Sequence, residues 1–161
     1  LAQAVETAQK EVAGGKVIEA GLETEDGATY FEVDVLSGDA VKEVKVDDLR
    51  KYDGIVLGSP TYYGGPAAPI KDLLDKSIKH HGKLQDRVGG AFSSSANIGG
   101  GNETTVLALL QGLLIHGMII CGDSQEDHYG PVAIDAPDAR SEKNCIRYGK
   151  RVAKLTKQLR G

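Results

Sequence analysis

Two short stretches of the chain carry residue types suited to holding a ligand. The first is Ser59-Pro60-Thr61-Tyr62-Tyr63-Gly64-Gly65, which supplies a hydroxyl, two large flat rings and two glycines that let backbone amides come close to a bound group. Such a set suits a planar heteroaromatic ring that is stacked on its face and hydrogen-bonded along its edge. One aromatic stack contributes about 0.5–1.5 kcal/mol beyond the area it buries. The bland alternative stays open at this point: Tyr62 and Tyr63 cover a sheet end, and Gly64-Gly65 turn the chain.

The second stretch is Ser93-Ser94-Ser95-Ala96-Asn97-Ile98-Gly99-Gly100-Gly101-Asn102. Short hydroxyls, an amide side chain and free backbone N–H groups before a helix start suit an anionic or carbonyl-rich edge. A plain flexible connection would also use three glycines. His128, in His128-Tyr129-Gly130, is a third candidate that could reach over the same crevice. His116, near a helix end, reads as a capping group, and His80-His81 as solvated surface.

Other chemistries find no support. No Ser, His and Asp set stands at the spacing of a hydrolase, and no catalytic side chain is assigned. Neither a G-x-G-x-x-G dinucleotide fingerprint nor a G-x-x-x-x-G-K-[ST] phosphate loop occurs. Cys121 and Cys145 lie far apart without CxxC or His-rich spacing, so no metal site is expected, and Cys121, closing an apolar run, reads as core.

These loops need elements to position them. The chain has 161 residues and 40% hydrophobic content, enough for one domain with its own core over residues 1–161. The net charge of −4 is mild and the basic residues are scattered apart from the C-terminal stretch, which argues against a nucleic-acid partner. No apolar run of membrane-spanning length and no secretion-type segment is present, so no membrane partner and a cytoplasmic location are expected. A small molecule is the default ligand.

Leu1, Val5, Ala8 and Val12 predict a helix over 1–12, stopped by Gly14 and Gly15. Residues 16–23 and 29–36 read as strands around the turn signal Glu25-Asp26-Gly27, either as a hairpin or as one strand followed by an insertion. A short helix is expected at 46–52. Ile55-Val56-Leu57, Val88 to Phe92 and Met118 to Cys121 are apolar on both faces, as strands of a covered parallel sheet are. Helices alternate with them. Pro66 and Pro69 open one with Ile70, Leu73, Leu74 and Ile78 inward, and a second runs from Asn102 to Ile115 with Leu107, Leu110, Leu113 and Leu114 inward. A third follows Ser141 with Cys145, Tyr148, Val152, Leu155 and Leu159 on one face. The expected fold is α/β, a doubly wound parallel sheet with helices on both faces, whose ligands sit beyond the C-terminal strand ends.

In order, YDGIVLGSPTYYGGPAAPIKDLLD, GKLQDRVGGAFSSSANIGGGNETTVLALLQGLLIHGMIICG and HYGPVAIDAPD resemble the flavodoxin-like family. The likeness is strongest to its branch of tryptophan-repressor-binding-protein type NAD(P)H:quinone oxidoreductases, and it covers residues 52 to about 160. The resemblance implies FMN as cofactor. It places the isoalloxazine against Pro60, Thr61, Tyr62, Tyr63 and Gly64, and against Ser94, Ser95, Ala96, Asn97, Gly99, Gly100 and Gly101. It further implies NAD(P)H as electron donor, a quinone-like acceptor or redox protein as partner, and a homodimer or homotetramer. The family's central strand and Ser/Thr-rich phosphate turn have no counterpart after Leu1, and both are expected upstream of it. Tyr30 to Leu36 is the one visible substitute for that strand, with a charged face better suited to an edge. A one-electron carrier flavodoxin, and a flavin-free flavodoxin-like interaction scaffold, are the alternatives.

Overall fold

The computed structural model describes residues 17–25, 28–37, 40–43 and 45–160. The helix expected over 1–12 lies outside them. Two strands open the described part as a hairpin, β1 (Val17–Glu25) pairing antiparallel with β2 (Ala28–Ser37), which resolves the earlier alternatives in favour of the hairpin. β3 (Ala40–Glu43) pairs antiparallel with β2. A short 3-10 turn, Val46–Lys51, follows where a helix is expected, with Asp48 closing its start by accepting the Lys45 N–H at 3.0 Å.

β4 (Gly54–Tyr62) and β6 (Val88–Ser95) are parallel neighbours in seven register pairs, from Gly54 opposite Val88 to Pro60 opposite Ser94. β5 (Gly65–Pro66) folds back on the end of β4. β7 (Ile119–Ile120) and β8 (Val132–Ile134) both run parallel to β6 on its other edge, β7 at Val88 and Gly89 and β8 at Ser93 to Ser95. They are two halves of one edge strand, separated by residues 121–131. The sheet order is β3-β2-β1-β4-β6-β7. β1 lies parallel to β4, with Ile18 opposite Leu57. This corrects two expectations: the segment beside β4 is Val17–Glu25, not Tyr30 to Leu36, and β2 sits inside the sheet, between β1 and β3, instead of at an edge.

Three helices cover these strands: α1 (Ala68–Lys76), α2 (Asn102–Ile115) and α3 (Ala139–Arg160). Ile55 and Leu57 of β4 pack with Ile70 and Leu73 of α1 and with Val106, Leu109, Leu110 and Leu113 of α2. On the other face Val88 and Cys121 meet Tyr148 and Val152 of α3. Burying side chains of this size contributes about 1.5–3 kcal/mol each, so the central strands are fixed from both faces. Cys121 is buried, as expected.

Helical register differs from expectation at its margins. Ile78 is 75% exposed because α1 ends at Lys76 and a 3-10 turn, Ser77–His80, swings that side chain outward. Leu107 and Leu114 also face out, since the inward stripe of α2 runs through Val106, Leu109, Leu110 and Leu113. On α3, Tyr148 and Val152 are buried while Leu159, in the last turn, is exposed. α3 starts at Ala139, two residues before Ser141, because Asp138 and Ser141 cap each other: the Asp138 carboxylate accepts the Ser141 N–H at 2.8 Å and the Ser141 hydroxyl accepts the Asp138 N–H at 2.9 Å. Among the described residues no helix is long and apolar enough to cross a membrane.

Candidate functional site

The site is built at the C-terminal ends of β4 and β6. β4 does not stop at Ser59-Pro60 as the turn formers imply; it continues to Tyr62 and reverses into β5, with Thr61 opposite Pro66 and Tyr62 opposite Gly65. The two residues between, Tyr63 and Gly64, have φ of 51° and 84°. Positive φ at both central positions is the signature of a two-residue hairpin turn matched to strand twist. Glycine accepts this conformation freely, whereas an L residue in it costs roughly 1–2 kcal/mol. Strain of this kind persists only where the surroundings enforce it, and it collects at ligand clamps. Tyr63 stands at the hairpin tip, fully exposed, and Tyr62 is half exposed.

Below the tip the hairpin is anchored by hydroxyls. Ser59 Oγ accepts the Ala67 N–H at 2.9 Å and donates to Pro60 O at 2.8 Å, tying the strand end to the start of α1. Ser93 Oγ donates to Ser59 O at 2.8 Å and lies 3.0 Å from Thr61 Oγ1. A hydroxyl has one hydrogen, so with that of Ser93 on Ser59 O, Thr61 is the donor of the pair and keeps its lone pairs as acceptors.

The second loop meets the first directly. A Cβ added at Gly101 would stand 3.0 Å from the Gly64 Cα and 3.4 Å from the Thr61 methyl. Thr104 Oγ1 lies 3.3 Å from Gly64 O, which it can bridge to Gly101 O at 2.9 Å. Gly101, at φ 95°, is also the residue that starts α2. Within the loop, Ser95 Oγ donates to Asn97 O at 3.0 Å and the Gly100 N–H to the same oxygen at 3.0 Å. Ser95 is therefore buried and turned into its own loop, while Ser94 is half-buried and Ala96, Asn97 and Gly99 are exposed. A methyl added at Gly64, Gly65 or Gly99 would meet no atom within 4 Å, so the paired loops border open space.

His128 belongs to the segment that interrupts the edge strand. Its Nδ1 is 2.9 Å from Asp123 O. A carbonyl only accepts, so Nδ1 carries a hydrogen and donates it to Asp123 O. Gly130, at φ 146°, passes over β6 so closely that a Cβ there would lie 2.1 Å from Ala91 O. The Ser93 N–H then donates to Pro131 O at 3.0 Å, and the Asp135 N–H to Ser95 O at 2.8 Å. The segment thus returns to the sheet at the level of Ser93, where Thr61 also bonds.

The other histidines lie at the opposite end of the strands. His80 is buried, not solvated, with Nε2 2.7 Å from Asp47 Oδ1. His116 stands at the C-cap of α2, its backbone N–H donating to Leu113 O at 3.1 Å, and its ring turns inward: it is buried with Nε2 2.7 Å from Ser77 Oγ, and Ser77 in turn donates to Leu74 O at 2.6 Å. His116 therefore donates from Nε2 and leaves Nδ1 buried without a partner. Burial, then the nearby His81 and His80, hold its pKa below the usual imidazole value. Sequence reasoning missed Thr104, whose signal was its place in the first turn of α2. It also missed the carboxylates Asp123 and Asp127, which bond to α3 side chains far along the chain. Among the described residues no group of three or more metal-ligating side chains is placed to hold an ion.

A mixed sheet whose β1, β4, β6, β7 and β8 run parallel and whose central strands are covered on both faces, with two touching loops at adjacent strand ends, defines a flavodoxin-like α/β protein. A family model described as NADPH-dependent FMN reductase matches residues 1–126, and the chain belongs to that family. An iron–sulfur flavoprotein of Methanocaldococcus jannaschii is 36% identical over 131 residues, 76% of this chain and 67% of that protein. An NAD(P)H dehydrogenase (quinone) of Sinorhizobium fredii is 36% identical over 124 residues, 76% of this chain and 60% of that one. A flavodoxin of Clostridium saccharobutylicum is 29% identical over 149 residues, covering 89% and 88%. Against several other NAD(P)H dehydrogenases (quinone), the chain spans only 47% of the relative's length. Among solved structures, a WrbA-like flavodoxin of Agrobacterium tumefaciens matches with a TM-score of 0.65 and 30% identity over 74% of this chain and 76% of that one. A Bacillus cereus flavodoxin matches in fold, with a TM-score of 0.58, 20% identity and 69% and 71% coverage.

Proposed function

We propose that the protein binds FMN and passes electrons from NAD(P)H to quinone-like or other small acceptors. The observation that carries this reading is the contact between the two loops, Gly101 against Gly64 and Thr61, which makes one continuous wall facing open space. The wall fits a flat, amide-edged ring. Tyr62 offers a half-exposed ring, Thr61 an acceptor, and the backbone of Pro60, Gly64 and Gly99 to Gly101 a surface without side chains in the way. Ser94, Ala96, Asn97 and His128 border it. Ser95 contributes through its backbone, since its hydroxyl bonds within its own loop.

When bound, the flavin supplies hydride and electron transfer; the chain's own groups bind, orient and shield it. No side-chain acid or base is assigned, and Tyr62 and Thr61 act as binding residues. Names of relatives support the donor and acceptor classes. The reading carries with it a cytoplasmic location and a homodimer or homotetramer. The test is rapid mixing of the FMN-loaded protein with NADPH or NADH: bleaching of the flavin absorbance within seconds is expected, and no reduction on that scale would remove the oxidoreductase reading. The second reading, a one-electron carrier, is favoured by the near full-length match to a flavodoxin. It predicts bound flavin that the nicotinamides leave oxidised. Purified protein that is colourless and refuses added FMN would leave only a scaffold.

A further inference from the structure

The segment 121–131 is held by a set of charged groups that flavin binding, as read above, does not itself use. The backbone of Asp127 accepts the Gly130 N–H at 3.0 Å, closing a four-residue turn with His128 and Tyr129 at its two central positions. Asp at the first place and Gly at the fourth are the residues such turns favour. The Asp127 carboxylate holds the exit of the same turn: Oδ2 accepts the Val132 N–H at 3.1 Å and the amide of Asn144 at 3.0 Å, and Oδ1 accepts Arg140 Nη1 at 2.8 Å. Arg140 Nη2 also donates to Val132 O at 2.7 Å, so the first β8 residue is fixed at its N–H by Asp127 and at its carbonyl by α3. Asn144 is only 2% exposed.

At the entry of the segment Asp123 plays the matching part. Its Oδ1 accepts the Gln125 N–H at 2.9 Å, its Oδ2 accepts Arg147 Nε at 2.7 Å, and its carbonyl takes the His128 ring. The Gln125 amide, then Arg147, hold its carboxyl below the usual range. Charge-assisted bonds of this kind are about twice as strong as neutral ones. Asp127 thus ties together the turn that presents His128 and Tyr129, the strand that pairs with Ser93, and α3.

We infer that Asp127 is a positioning residue for the flavin ring: through Arg140 and Asn144 it fixes the turn at His128-Tyr129 as the third wall of the crevice. The inference rests on the flavin reading. A purely structural brace would shift melting temperature and leave ligand affinity alone, and a group acting on the cofactor's phosphate would alter FMN binding only. Riboflavin, which lacks the phosphate, separates these.

The experiment is titration of the full chain with FMN and with riboflavin, followed by flavin fluorescence, for the parent, Asp127→Ala and Arg140→Gln. Arg140→Gln removes one of the two bonds from α3 while leaving Asp127 its bonds to Asn144 and Val132. Its fold is the less exposed to loss, and it decides the matter where Asp127→Ala fails to fold. The expected result is a dissociation constant raised about tenfold in Asp127→Ala, and less in Arg140→Gln, by the same factor for both flavins. Affinities within twofold of the parent in the folded variants overturn the inference, as does a loss confined to FMN. A parent chain that binds neither flavin overturns the flavin reading instead.

Discussion

The two ends of β4 and β6 use polar residues in opposite ways. At the N-terminal end, Arg87 sends one guanidinium nitrogen to the carbonyls of Arg50 at 2.9 Å and of Tyr52, with Leu49 O at 3.5 Å. His80 is taken by Asp47 and His116 by Ser77. At the C-terminal end, the exposed tyrosines, the open glycines and a hairpin tip at positive φ border open space. A buried polar group that has found its partner contributes to stability; one that borders open space is available to a ligand. Polar residue type alone does not separate the two, and histidine shows it best: the buried His80 and His116 brace the fold, while His81 and His128 are exposed.

The sharpest way to break this contrast is at Arg87. Arg87→Ala leaves several carbonyls without their charged donor and is expected to cost about 2–3 kcal/mol, read by urea unfolding, with the FMN dissociation constant unchanged. A variant that unfolds normally but binds flavin poorly would show that the two ends are coupled. Ser77→Ala strands the buried Nε2–H of His116, whose Nδ1 is already unpartnered, and is expected to cost about 1–3 kcal/mol. It too should leave flavin affinity alone.

At the open end the expectation reverses. Tyr62→Ala removes one ring face, worth about 1 kcal/mol, so FMN binding should weaken roughly fivefold with little change in unfolding midpoint. His80→Ala, by contrast, should not alter the dissociation constant, and equal values for the two variants would count against stacking at Tyr62. The smallest effect is the pH dependence of stability. His116 has a lowered pKa when folded, so the unfolded chain binds its proton first and stability should fall as pH drops below about 6.5. Replacing His116 with Gln should flatten that part of the curve. Asp123 and Asp138, lowered by backbone N–H groups of Gln125 and Ser141 first, hold stability that is lost only in the acid range.

Much of this arrangement was legible in the chain because local rules write it. Apolar runs on both faces announced β4 and β6, prolines and glycines bounded α1 and α2, and the ring-and-glycine loop marked the strand ends where the candidate site is placed. What stayed hidden depends on partners distant in sequence. Nothing near His80 announces that Asp47, 33 residues earlier, will bury it. Nothing near Asp127 points to Arg140 and Asn144, which only the return of α3 supplies. The end of β4 is hidden for a different reason: Ser59-Pro60 looks like a strand end, yet Pro60 sits where β4 still pairs with β6, and the reversal falls on Tyr63-Gly64.

The divided edge strand has a dynamic consequence. β7 and β8 grip β6 through two and three register pairs, with residues 121–131 between them. Each grip can open without unzipping the other, so the edge behaves as two separate clasps with separate local unfolding equilibria. Amide hydrogen exchange at Ser93 and Asp135 reports the crevice-side clasp alone. A ligand seated against that end slows exchange there and leaves the rate at Ile119, on the far clasp, where it was.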